Sequence, residues 1–201
     1  MTVKTIPFGP LASNMYLLST DSGCFLIDPS VPYEHMGDDI PSKIDYILIT
    51  HGHFDHIYAV DEWAGKFPQA KVYCSPKDFI CFEDPSYNCS VDFFESVTYS
   101  TRPLDVNNLK LEGLTVLNTP GHSPGSVCFL FEQGEQKIMF TGDTLFAGSV
   151  GRSDLNGGDE KQLLSSVTSL KTLNPDVIVY PGHGPSSTIK RELVINPFFN
   201  L

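Results

Sequence analysis

Short apolar runs separated by turn residues set the pattern of this chain. "NMYLLST", "GCFLIDPS" and "IDYILIT" follow one another early on. "KVYCS", "LTVLNT", "SVCFLFE", "KIMFTGD" and "DVIVYPG" repeat the theme further along. Runs of about 4 to 8 residues rich in β-branched and aromatic side chains predict strands rather than helices. A helical pattern appears over 57–67, and a clearer one follows "GGD" at 157–159. There Asp159 and Gln162 have the spacing of a capping box, and Leu163, Val167 and Leu170 make one apolar face. A last short helix is expected over 187–194. The order is two halves, each a run of strands followed by helix. Such a chain can stack two sheets face to face and cover their outer faces with helices, an α+β sandwich in one domain over residues 1–201. Residues 75–108 are the least regular; "CFEDPSYNCSVDFFES" mixes aromatics with turn residues and reads as a flap.

Composition narrows the partners. The 201 residues suffice for one sizeable core, and 41% hydrophobic with 18% charged residues is a globular balance. The net charge is −11 and no Lys/Arg-rich run occurs, which argues against nucleic acid or an anionic membrane surface as partner. No apolar run reaches the roughly 20 residues of a transmembrane span. The N-terminus "MTVKTIPFGPLASN" breaks any signal-like core with Pro and Gly. Five scattered cysteines without a C-x-x-C read as reduced thiols, and the expected location is cytoplasmic.

The chemistry concentrates at four strand ends. "THGHFDH" carries His51, His53, Asp55 and His56; "NTPGHSPGS" carries His122, "FTGDTLF" Asp143 and "YPGHGP" His183. Turn chemistry alone does not call for that much imidazole. A strand end followed by glycine lets a side chain emerge at a sheet edge, so four such loops can converge on one rim. His51 and His53, two apart, point the same way in extended backbone. One divalent ion fits His51, His53 and His122, and a second fits Asp55, His56 and His183. Asp143 has two oxygens with which to bridge them, and an open position remains for water. Nitrogen and oxygen ligands suit zinc, iron and manganese alike, and zinc is the first expectation. His35, in "PYEHMGDD", is assigned no role, and Asp28 after "CFLI" reads as a turn cap.

These stretches, with "TGDTLFAGSVGRSDLNGGD" between the last two ligands, resemble the metallo-β-lactamase superfamily. They look most like its glyoxalase II (hydroxyacylglutathione hydrolase) branch. The resemblance spans essentially the whole chain. It implies a four-layer αβ/βα sandwich, a dinuclear site with the ligand sets above, and hydrolysis of small acyl thioesters such as S-lactoylglutathione. β-Lactamases of this superfamily commonly carry a cysteine ligand that this chain lacks. Longer glyoxalase II proteins carry a C-terminal helical domain for which "KRELVINPFFNL" leaves no counterpart, so a weak grip on glutathione is expected. A thiolate leaves with little help from an acid, which favours thioesters. Asp55 is the expected acceptor of the nucleophile's proton and Asp143 the bridging catalytic carboxylate. Arg152 has two readings, a loop anchor paired with Asp154 and a clamp for a substrate carboxylate. Tyr180 is a weaker substrate-binding candidate at the end of "DVIVY". The rival activities are a mononuclear iron persulfide dioxygenase, and a lactonase or phosphodiesterase.

Overall fold

The computed structural model describes residues 1–93 and 95–200. Phe94, inside the expected flap, and Leu201, at the end of the expected domain, lie outside the described residues. Strands β1 (Thr2–Phe8), β2 (Ser13–Thr20), β3 (Gly23–Ile27), β4 (Tyr46–Leu48), β5 (Lys71–Cys74) and β6 (Leu104–Asp105) form one sheet in sequence order. Its first two pairings are antiparallel and the rest parallel. Next come β7 (Leu114–Asn118), β8 (Val127–Gln133), β9 (Gln136–Gly142), a small hairpin of β10 (Leu145–Phe146) with β11 (Ser149–Val150), β12 (Ile178–Pro181) and β13 (Ser187–Thr188). The second sheet has the order β13-β12-β9-β8-β7, with β12 parallel to β9.

The near-continuous apolar runs have a direct cause: both faces of each central strand are buried. Along β2 and β3, Tyr16, Leu18, Phe25 and Ile27 enter the core between the sheets. Their neighbours Met15 and Leu26 face the opposite way, onto Trp63 and Val60. Along β8 and β9, Phe129, Phe131 and Phe140 meet that central core. Cys128, Leu130 and Met139 alternate outward onto Leu163, Val167 and Leu170. The outer layers are helices: α1 (Phe54–Ile57) and α2 (Val60–Lys66) over the first sheet, α3 (Glu160–Leu170) and α4 (Ile189–Ile195) over the second. This is the four-layer α+β sandwich.

The local expectations met particular outcomes. Asp159 caps α3, accepting from Gln162 N at 3.0 Å. The helix expected over 57–67 begins at Phe54 and breaks after Ile57, so that Asp55 and His56 sit on a helical turn. Ser187 and Thr188 form an edge strand rather than the start of the last helix, because Thr188 is the cap whose hydroxyl accepts from Arg191 N. β1 was not among the expected strands; its half-polar alternation reflects an edge position with only one neighbour. All five cysteines are free thiols, and four of them are buried. Among the described residues no helix is long and apolar enough to cross a membrane.

Candidate metal centre

The sequence-predicted ligands arrive from both sheets at one edge. His51 and His53 follow β4, Asp55 and His56 lie on α1, His122 sits between β7 and β8, Asp143 follows β9 and His183 follows β12. Three ligand groups have mutually close donor atoms, within 4.8 Å of one another: His51/His53/His122, His51/His56/Asp143 and Asp55/His56/His183. All seven residues are therefore together. Asp143 touches both outer sets: Oδ2 lies 3.4 Å from His122 Nε2 and 3.5 Å from His183 Nε2, while Oδ1 is 3.3 Å from His56 Nε2. Asp55 Oδ2 lies 3.3 Å from His183 Nε2.

The far edges of four imidazoles are already committed. His122 Nδ1 donates to Arg152 O at 2.7 Å and His183 Nδ1 to Leu11 O at 2.9 Å. His56 Nδ1 donates to Asp28 Oδ2 at 3.0 Å. His51 is fixed at one remove. Thr50 Oγ1 donates its single proton to Asp28 Oδ2 (2.7 Å), so it can only accept from His51 Nδ1, 3.1 Å away. In each ring the Nε2 lone pair is left for the centre, as a metal ligand requires. His53 is turned over, with Nδ1 facing His122 Nε2 at 2.9 Å.

Whether cations fit can be judged from what is left unpaired. Four buried side-chain polar atoms among the described residues lack a hydrogen bond, and three belong here: His51 Nε2, His53 Nε2 and Asp143 Oδ1. Buried polar atoms rarely stay unpaired without a functional reason. The electrostatics agree. Burial, then the neighbouring imidazoles, hold His51 well below the usual histidine range. The same causes bring His53 to about 3, so both are neutral, as ligands must be. Burial opposes charge on His56 and His183, but Asp55 and Asp143 outweigh it; His56 is driven well up and His183 to about 10. Two carboxylates therefore demand positive charge at this spot, and divalent cations meet the demand. The residues fit a two-metal centre.

Glycines make room for the convergence. A side chain at Gly182 would place its Cβ 2.1 Å from Asp143 Oδ1 and 2.7 Å from His56 Cε1. Gly142 has φ +46°, and a Cβ there would sit 2.4 Å from Thr50 Oγ1.

Two buried carboxylates were not recognised from the sequence. Asp28, read as a turn cap, accepts from Thr50 N (2.8 Å), Thr50 Oγ1 and His56 Nδ1, and so orients ligands of both sets. Its only signal was an acid directly after a buried strand. Asp78 accepts from Gly52 N (2.9 Å), Gly125 N (2.7 Å) and Ser123 Oγ (2.7 Å), tying two ligand loops together. It sits in the irregular segment, where no pattern distinguished it.

A cleft of about 720 Å³ opens over the centre, lined by five of the ligands, by Phe146, Leu11 and Leu155, and by the flap residues Cys89, Asp92 and Phe93. Arg152 lies on its rim and grips Asp154 through Nε and an outer guanidinium nitrogen at 2.6 and 2.7 Å. The loop-anchor pairing is thus present, at a place from which the guanidinium also borders the cleft. Tyr180 is not at the cleft. Its ring stacks on Phe140 (centroids 5.4 Å apart) and meets Tyr16 edge-on, so it belongs to the core between the sheets. A residue at the end of a two-sided strand is as readily core as rim, and here the inward alternation decides. His35 is exposed and packs edge-on against Phe8, away from the cluster.

The metallo-beta-lactamase superfamily profile matches residues 8–183. The chain belongs to that superfamily. It is 35% identical to "Probable metallo-hydrolase YqgX" of Bacillus subtilis, covering 100% of this chain and 98% of that protein. It is 32% identical to "Hydroxyacylglutathione hydrolase GloC" of Haemophilus influenzae, covering 100% and 99%. Among solved structures, BLEG-1 B3 metallo-beta-lactamase has a TM-score of 0.89 at 36% identity, with both chains covered in full. TTHA1623 in a di-iron-bound form has a TM-score of 0.85 at 37% identity, covering 97% of this chain and 99% of that one.

Proposed function

We propose that this protein hydrolyses small acyl thioesters, S-lactoylglutathione among them, in the cytoplasm. The observation that carries the reading is the largely buried cluster of seven ligands, with His51 Nε2, His53 Nε2 and Asp143 Oδ1 left unpaired under an open cleft. His51, His53 and His122 would hold one divalent cation, Asp55, His56 and His183 the other, and Asp143 both. Such a pair supplies a water of lowered pKa and a Lewis acid for a carbonyl oxygen. Asp55, kept ionised by His56 and His183 against the opposing effect of burial, accepts the proton that the attacking water loses. Zinc is the first expectation; the neighbour solved in a di-iron-bound form supports iron as the other candidate.

The leaving group favours sulfur. Outside the ligands, the titratable side chains lining the cleft are Cys89, Asp92, Arg152 and Asp154. Arg152 holds Asp154 near 2, so it is an anion, and burial pushes the Cys89 thiol up to about 11. None is an acid suited to protonating an amine as it leaves, whereas a thiolate departs unaided. The 32% identity to a hydroxyacylglutathione hydrolase, matched over 99% of its length, supports the same activity.

A second reading, β-lactam hydrolysis, is favoured by the full-length likeness to a B3 metallo-beta-lactamase. It requires protonation of a ring nitrogen, for which the cleft offers no evident donor. One experiment separates the readings. Zinc- and iron-loaded enzyme is given lactoylglutathione, a simple thioester, a β-lactam, a lactone and glutathione persulfide. Thioester cleavage is expected with at least one metal. β-Lactam opening, or oxygen consumption with the persulfide, together with intact thioesters would overturn the proposal.

A further inference from the structure

A second cavity, of about 380 Å³, adjoins the catalytic cleft and shares Leu11, Phe54, Asp55 and Phe93 with it. Phe8, Pro10 and Tyr58 line it, and Arg152 does not. Asp55, a member of one ligand set, lines both cavities, so the second one borders the metal centre. Its volume lies within the roughly 300 to 1,000 Å³ of small-molecule sites. Two of its walls are unusual: Tyr58 and Phe93 are large apolar side chains left 43% and 44% exposed. They come from different places, Tyr58 from the end of α1 and Phe93 from the flap, and they line the same cavity as the ligand Asp55. Phe93 packs with its ring centroid 5.0 Å from that of Phe54, which is itself buried, so one side of the wall rests on a buried ring.

The two arms of the site differ in chemistry. The main cleft offers Arg152, Asp154 and Asp92, groups that can pair with a polar, peptide-like carrier. The second arm is hydrocarbon and aromatic ring, interrupted by two serines, Asp55 and the carboxylate of Glu95. We propose that the second arm is the acyl subsite, and that the enzyme prefers thioesters whose acyl group has an apolar body of several carbons, straight-chain or aromatic. This deepens the thioesterase reading above and rests on it. Glu95 and Asp55 make the arm hostile to an acyl group ending in a carboxylate, so specificity here includes a rejection as well as a fit.

The test holds the thiol constant and lengthens the acyl group from acetyl through butanoyl and hexanoyl to octanoyl, with succinyl as the anionic comparison. Each methylene buried should raise kcat/KM roughly three- to fourfold until the cavity is full. Succinyl should do no better than acetyl. Tyr58→Ala removes one wall from an exposed position, and should cut the octanoyl-to-acetyl ratio of kcat/KM at least fivefold (about 1 kcal/mol). Inhibition by octanoate relative to butanoate gives the same comparison without turnover, and Tyr58→Ala should flatten it too. Equal kcat/KM along the series, or a length preference untouched by Tyr58→Ala, would overturn the acyl subsite while leaving thioester hydrolysis standing. Failure to cleave any member would remove the thioesterase reading itself, and this inference with it.

Discussion

Exchanging one oxygen of Asp28 for nitrogen should damage both metal sites together, although Asp28 is expected to bind neither ion. Oδ1 accepts from Thr50 N, while Oδ2 accepts from Thr50 Oγ1 at 2.7 Å and His56 Nδ1 at 3.0 Å. In Asp28→Asn the backbone N–H keeps the amide oxygen, so the amide NH₂ takes the place of Oδ2. It now donates where Oδ2 accepted. His56 must accept on Nδ1 and carry its proton on Nε2, the atom that faces the centre. Thr50, relieved of its acceptor, donates instead to His51 Nδ1 and moves that proton to Nε2 as well. One ligand of each set is therefore in the wrong tautomer. Replacing such outer partners typically costs about 10- to 100-fold in metal affinity, or roughly 1.4 to 2.7 kcal/mol per site. The assay is chelator competition, with metal content after dialysis as the second measure. Asp78→Asn is the control, since that carboxylate accepts from two backbone N–H groups and a serine rather than from an imidazole. It should lower the melting temperature and spare metal affinity. If Asp28→Asn retains both ions within twofold of wild-type affinity, the tautomer argument is wrong.

Elemental analysis should find close to two transition-metal ions per chain, and Asp143→Ala should lose metal and orders of magnitude in activity, while His35→Ala changes neither; equal effects would refute the ligand assignment. Gly182→Ala drives a methyl group into Asp143 Oδ1 and His56. Metal content and kcat should both collapse in that variant, and a fully active one would show that the loop can yield. Arg152→Met should raise KM more than it lowers kcat if the guanidinium clamps a substrate carboxylate, and unchanged steady-state kinetics would leave it as Asp154's loop anchor only. Metal-free protein should be most stable near neutral pH. The neutral form of His53, favoured on folding, contributes stability that is lost as pH falls from 6.5 towards about 3. The charged form of His183 contributes stability that is lost as pH rises from 6.5 towards about 10. Thermal melts across that range, with and without zinc, check the sign, since bound metal should abolish the alkaline loss.

The legible part of this protein was its local grammar. A strand end with glycine beside a lone His or Asp, repeated three times after the ligand-dense "THGHFDH", announced the ligands, because metal binding needs particular side-chain atoms and a bendable backbone at each. The central strands were legible because both of their faces are buried and their runs are correspondingly apolar; β1 escaped because an edge strand has no such run. What tertiary structure decided was everything that depends on which atoms meet across the layers. Asp28 and Asp78 act through partners 22 to 47 residues away, so their local sequence carries no sign of their roles. Tyr180 shows the converse: its position after "DVIVY" allowed rim or core, and the alternation of β12 against Phe140 put it in the core. The acyl arm is the furthest from legibility, since Phe8, Tyr58 and Phe93 belong to a hairpin, a helix end and the flap. Their common wall exists only once the first half of the chain has folded and drawn those three segments together.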